Sequence, residues 1–139
     1  MDINNYTAGF DIGSDSVHAV VLGEDGKIVY SPKSMMHFGN PIGALKEIYE
    51  DIISKYGKKI STTAFTGSVG EFIAEKTETP FFHDTIAIPA GAEVIASGAD
   101  YIFHIGAKDP YFFEREKVKT ENGYKSFVPD HGTGTKCGG

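Results

Sequence analysis

Hydrophobic and polar positions alternate with period two over Tyr6 to Leu22. Ala8, Phe10 and Ile12 mark one arm, and Val17, Ala19 and Val21 mark the other. This is the pattern of two half-buried strands. Asp11-Ile12-Gly13-Ser14-Asp15-Ser16 joins them as a tight turn. Glu24-Asp25-Gly26 is a further turn signal. Lys27 to Ser31 then reads as a third strand, ended by Pro32. Ser34 to Gly39 reads as a loop. Its Met35, Met36, His37 and Phe38 read as core-edge residues, because one His with two Met is a poor metal ligand set.

The period changes at Asn40, a good N-cap followed by Pro41 in the first turn. Ile42, Leu45, Ile48, Tyr49, Ile52, Ile53 and Tyr56 share one helical face, and Gly57 ends the helix. Lys46, Glu47, Glu50, Asp51 and Lys55 form its wet face. Ile60 to Thr66 reads as a strand running into Thr66-Gly67-Ser68. Ser68 and Glu71 have capping-box spacing for a helix over Val69 to Lys76. Pro80 to His83 suits a short fifth strand. Asp84 or Thr85 caps a segment reaching Ser97-Gly98, which Pro89 either kinks or truly begins.

The element order is therefore βββαβαβα, which fits a mixed sheet with strand order 3-2-1-4-5. The pattern then restarts. Asp100 to Ile105, Tyr111 to Lys117 and Tyr124 to Val128 read as three strands, with turns at 106–110 and at Glu121-Asn122-Gly123. His104-Ile105-Gly106 echoes Asp11-Ile12-Gly13 about one lobe later. The expected domains are 1–98 and 99–139.

With 139 residues, 40% hydrophobic and 23% charged, the chain has room for a real core and the balance of a globular protein. A net charge of −6 argues against non-specific nucleic-acid binding. No apolar run approaches the ~20 residues of a membrane span, and the cytoplasm is the expected location. One cysteine excludes an internal disulfide framework. Cys137-Gly138-Gly139 suggests a piece of a longer protein, the alternative being a short protein with a glycine tail.

Chemistry enters at the first turn. Gly13 permits close approach of a ligand, and small residues leave N–H groups free for a phosphate. Asp11, at the strand end, can hold a metal through water. Taken alone, the turn is equally an ordinary hairpin.

Gly9-Phe10-Asp11-Ile12-Gly13-Ser14 resembles the first phosphate loop of the actin-like ATPase superfamily, which includes actin, Hsp70 and sugar kinases. It resembles more closely the activators of 2-hydroxyacyl-CoA dehydratases and the ATPase subunits of benzoyl-CoA reductase. Thr66-Gly67-Ser68 and the element order extend the resemblance over residues 6 to 98. It implies a ribonuclease-H-like lobe with a five-stranded mixed sheet, then the first strands of a second lobe. It also implies ATP or ADP with Mg²⁺, held by Gly13, Ser14, Asp15 and Ser16 from the first loop. Gly106, Ala107 and Lys108 would contribute from the second. Asp11, holding Mg²⁺ through water, and His104 take the catalytic positions.

Several positions depart from the family. His18 stands where a lysine usually reaches the phosphates, and Asp15 where Thr is frequent. His104 replaces the Asp that begins the second loop, while Ala107, Lys108 and Pro110 also differ and Asp109 fits. Lys136-Cys137-Gly138-Gly139 resembles the family segment whose cysteine ligates a [4Fe–4S] cluster shared by two subunits. The implied partners are a nucleotide, a second copy of the chain, and a CoA-ester dehydratase or reductase component. Alternatives are an inert cysteine, a degenerate nucleotide-binding scaffold or sensor, and a sugar kinase of the N-acetylglucosamine type.

Overall fold

β1 (Tyr6–Ile12) and β2 (Ser16–Leu22) form an antiparallel hairpin in which Phe10 faces Ala19 and Ile12 faces Val17. The computed structural model describes residues 5–106, 110–115 and 124–127, the last as backbone alone. The chain divides into two compact units, Met1–His83 and Asp84–Gly139.

In the first unit, β3 (Ile28–Tyr30) continues the sheet beyond β2. The turn between them closes through Gly23 N–H to Lys27 O and Gly26 N–H to Gly23 O, with Gly26 at φ +74°. Ser34 to Gly39, expected to be all loop, contains a two-residue strand, β4 (Met35–Met36), paired antiparallel to the start of β2. β3 pairs only with the far end of β2, so the edge at Ser16 and Val17 is left for β4.

Asn40 caps α1 (Pro41–Tyr56) by accepting from Gly43 N–H at 3.0 Å, and Gly57 ends it at φ +52°. The buried stripe is Ala44, Ile48 and Ile52, narrower than the seven-residue face read from the period. Leu45 and Tyr56 pack at its margin, while Ile42 and Tyr49 are largely exposed.

A one-turn 3₁₀ segment, Gly57–Lys59, leads into β5 (Ile60–Thr66), which lies parallel to β1. The path β3-β2-β1-β5, with β4 beside β2, makes a five-stranded mixed sheet. α1 and α2 (Gly70–Thr77) close one hydrophobic cluster with it around Phe10, Ile12, Val17, Ile52 and Phe65.

Two local expectations fail here. The Ser68/Glu71 capping box does not form: the N-cap is Val69, and no side chain caps the helix. Ser68 is exposed because Gly67 turns the chain at φ +86° and Val69 N–H is drawn to Ile12 O at 2.9 Å. The fifth strand shrinks to one parallel bridge at Phe81. Phe65 N–H reaches Pro80 O and Phe82 N–H reaches Phe65 O, both at 2.9 Å. Pro80 has no N–H to extend the ladder, and the next helix begins at Asp84.

In the second unit, α3 (Asp84–Ile95) runs through Pro89 as one helix and buries none of its residues. β6 (Tyr101–His104), β7 (Tyr111–Arg115) and β8 (Tyr124–Phe127) form an antiparallel sheet in the order β6-β7-β8. Arg115 ties α3 to it, with Nη2 2.8 Å from Glu93 Oε1 and Nε donating to Ala99 O at 3.0 Å. No helix among the described residues is long and apolar enough to cross a membrane.

Candidate functional site

The parallel pairing of β1 with β5 brings Asp11 level with Thr66 at the carboxyl ends of both strands. The hairpin register sets His18 opposite Asp11 on the other side. Residues in register share a face of the sheet, and alternation puts this trio on the face away from Phe10, Ile12, Val17 and Phe65. A carboxylate, an imidazole and a hydroxyl thus line one edge, where ligands of open α/β sheets characteristically bind.

The turn after β5 is pressed against the end of β1. A Cβ added at Gly67 would lie 2.5 Å from Ile12 O and closer still to Asp11 Oδ1. With φ at +86°, position 67 suits glycine on both counts. Val69 N–H to Ile12 O then fastens the turn to β1.

The β1–β2 loop forms the other wall. Gly13 N–H closes the hairpin on Ser16 O at 3.0 Å. Ser14 and Asp15 are exposed, and their N–H groups donate no hydrogen bond among the described residues. Of the four amides expected at a phosphate, one closes the turn and two belong to the exposed Ser14 and Asp15; Ser16 opens β2, where it pairs with Met36. His18 is exposed, with Nε2 2.9 Å from Ser16 Oγ.

His37, expected from the sequence at a core edge and outside the site, lies close to the loop. It is 9% exposed and sits beneath the loop. Its N–H donates to Asp15 O at 2.9 Å, and its Nε2 is 3.2 Å from Gly13 O. The one available signal was local: a His followed by Phe-Gly-Asn just before a helix start.

His104 belongs to the second unit. Its ring lies 5.8 Å from that of Tyr111, and its Nδ1 is shielded from solvent with no hydrogen-bond partner among the described residues. Gly106 follows at the end of the described run, whereas Ala107, Lys108 and Cys137 lie outside the described residues. Among the described residues no group of three or more His, Cys, Asp or Glu side chains could hold a metal. A cation at the first edge would therefore take Asp11 as a lone carboxylate with water, as Mg²⁺ beside phosphates commonly does.

The first unit thus has a ribonuclease-H-like fold, a five-stranded mixed sheet with flanking helices. No protein-family model and no curated protein matches the sequence. Among solved structures, the chain is similar to (R)-2-hydroxyglutaryl-CoA dehydratase component A from Acidaminococcus fermentans. The two are 20% identical with a TM-score of 0.68, over 90% of this chain and 48% of that one. It is similar to the Clostridium difficile activator of 2-hydroxyisocaproyl-CoA dehydratase with bound ADPNP, at 20% identity and a TM-score of 0.65, covering 89% and 46%. A glucokinase of the ROK family from Streptomyces griseus, in complex with glucose and AMPPNP, shares 14% identity at a TM-score of 0.53, covering 90% and 48%. At these identities the likeness is one of fold. The chain spans about half the length of each.

Proposed function

We propose that this chain is the nucleotide-binding N-terminal part of an actin-like ATPase that activates a CoA-ester dehydratase or reductase. The observation that carries the reading is the edge itself. Asp11 stands at the end of β1 between the exposed Ser14 and Asp15 amides and a turn that accepts only glycine at position 67. Such an edge suits an anion on free N–H groups and a hydrated divalent cation on one carboxylate. Two of the similar folds were solved with ATP analogues.

In this reading Asp11 holds Mg²⁺ through water. Ser14, Asp15 and Ser16 bind the phosphates, and Gly13 keeps the turn closed. His104, Gly106, Ala107 and Lys108 belong to the second phosphate loop. Bound Mg²⁺ would neutralise the charge that develops during phosphoryl transfer. Activation of a dehydratase by an electron from a [4Fe–4S] cluster, in a cytoplasmic homodimer, is the finer part of the proposal. It rests on the Lys136-Cys137-Gly138-Gly139 pattern and on the dehydratase components among the similar folds.

Titration of the ¹⁵N-labelled chain with millimolar Mg·ADP tests the nucleotide reading. The Ser14 and Asp15 amide resonances are expected to shift, and Asp11→Asn is expected to remove the dependence on Mg²⁺. Unmoved loop amides would overturn it. For the finer part, iron uptake by the complete protein that loses most of its signal in Cys137→Ser is the expected result.

A second reading, a nucleotide sensor without hydrolysis, is favoured by His18. It faces Asp11 across the hairpin and engages Ser16 Oγ, where an ATPase of this kind would carry a lysine. Phosphate release from Mg·ATP by the complete protein separates the two readings.

A further inference from the structure

His37 lies between β4 and α1, nine-tenths removed from solvent. Its ring has a polar partner on each nitrogen: Gly39 N–H lies 3.1 Å from Nδ1, and Gly13 O lies 3.2 Å from Nε2. An amide can only donate and a carbonyl can only accept. The network therefore assigns the lone pair to Nδ1 and the proton to Nε2.

The backbone around the ring is shaped to allow this. Phe38 and Gly39 both adopt positive φ, +45° and +86°. A bulky residue takes that conformation where its surroundings impose it. The Phe38 side chain is 88% exposed, so its own packing is not the cause. The turn instead returns Gly39 N–H to the ring of His37. His37 O also accepts from Asn40 N–H at 2.7 Å, and Asn40 caps α1, so the clamp is anchored to a helix.

Gly13 O and Ser14 N–H belong to one peptide group. That group is planar and trans, so its C=O and N–H point in opposite directions. A hydrogen bond that holds Gly13 O toward His37 therefore turns Ser14 N–H away from it. We infer that His37 is a positioning residue, whose Nε2–H aims the Ser14 amide outward for an anion. The direction of the amide stands on the geometry alone; the identity of the anion as a nucleotide phosphate rests on the function proposed above.

Two substitutions separate the halves of the clamp. The amide end of Asn falls near the position of Nδ1, and that of Gln near Nε2. His37→Asn keeps an acceptor for Gly39 and loses the donor to Gly13; His37→Gln keeps that donor. In the 139-residue chain, imidazole ¹⁵N shifts are expected to show a bare Nδ1 and a protonated Nε2, and residual dipolar couplings an outward Ser14 N–H. His37→Asn is expected to fold, to move the Ser14 amide resonance, and to weaken Mg·ADP binding about tenfold, with His37→Gln restoring affinity to within about threefold. A proton on Nδ1, or an Asn variant with unchanged Ser14 orientation, would overturn the inference. Should neither variant fold, the tautomer and the wild-type couplings decide it. If the wild-type chain binds no Mg·ADP, the nucleotide reading fails, while tautomer and couplings still decide the role of His37.

Discussion

Gly67 and Gly13 look alike as turn glycines, yet the fold needs them differently. A side chain at 67 would strike the Ile12 carbonyl and adopt positive φ, and backbone atoms cannot swing aside. At Gly13 an added Cβ meets Ser16 O at 3.5 Å, an ordinary contact. Gly67→Ala is expected to destabilise the first unit by about 1–3 kcal/mol, read from urea midpoints. Gly13→Ala should stay within about 0.5 kcal/mol of wild type. Equal costs at the two positions would show that the turn after β5 is not pressed against β1. In the sequence Gly13 stands out because it lies in the recognisable loop. The demand on Gly67 comes from a strand more than fifty residues earlier in the chain.

Among the elements, α1 shows where periodicity misleads. Asp51 and Lys55 read as its wet face, but together they hold the helix to β3. Tyr30 donates its hydroxyl to Asp51 Oδ2 at 2.5 Å, Lys55 Nζ donates to Asp51 Oδ1, and that ammonium lies 4.8 Å from the Tyr30 ring centroid. The Lys55 hydrogen bond, and then that from Tyr30, holds the Asp51 carboxyl below its ordinary value. A carboxylate with a lowered folded value adds stability above its unfolded value, and that stability is lost as pH falls through the folded one. Asp51→Asn should therefore lose less stability than wild type when acidified below about pH 4. Urea midpoints at neutral and acid pH check this; parallel acid limbs would refute it. Lys55 has the opposite sign. The Asp51 bond raises it, so its contribution fades only as pH rises through the raised value.

On the scale of the whole molecule, apolar burial is unevenly divided. Among the described residues, the first unit holds one continuous cluster from Ala8 to Ala74, while Phe113 is the buried hydrophobic residue of the second. α3 carries Ile86, Val94 and Ile95 exposed. Local stability follows buried apolar contact. Amides of β1 and β5 are therefore expected to exchange with solvent most slowly, and those of β6 and β7 markedly faster. Equal protection in β1 and β7, measured by hydrogen exchange, would contradict that ordering.

Much of the first unit was legible in the chain because its signals are local. Period-two alternation marks the β1–β2 hairpin, Asn40-Pro41 and Gly57 bound α1, and the element order implies a ribonuclease-H-like sheet. Each depends on residues within a few positions of one another, where propensity, capping and turn chemistry act. The place of Asp11 near the end of β1, and the turn that follows it, were legible in the same way. The tertiary structure alone decided the rest. It replaced the expected Ser68 cap by the bond from Val69 N–H to Ile12 O, and it cut the fifth strand to a bridge at Phe81. It set Thr66 and His18 on either side of Asp11, and it placed His37 under Gly13. These are contacts between segments far apart in sequence. Their geometry depends on the parallel crossover from β1 to β5 and on the short β4 pairing, which no local pattern encodes.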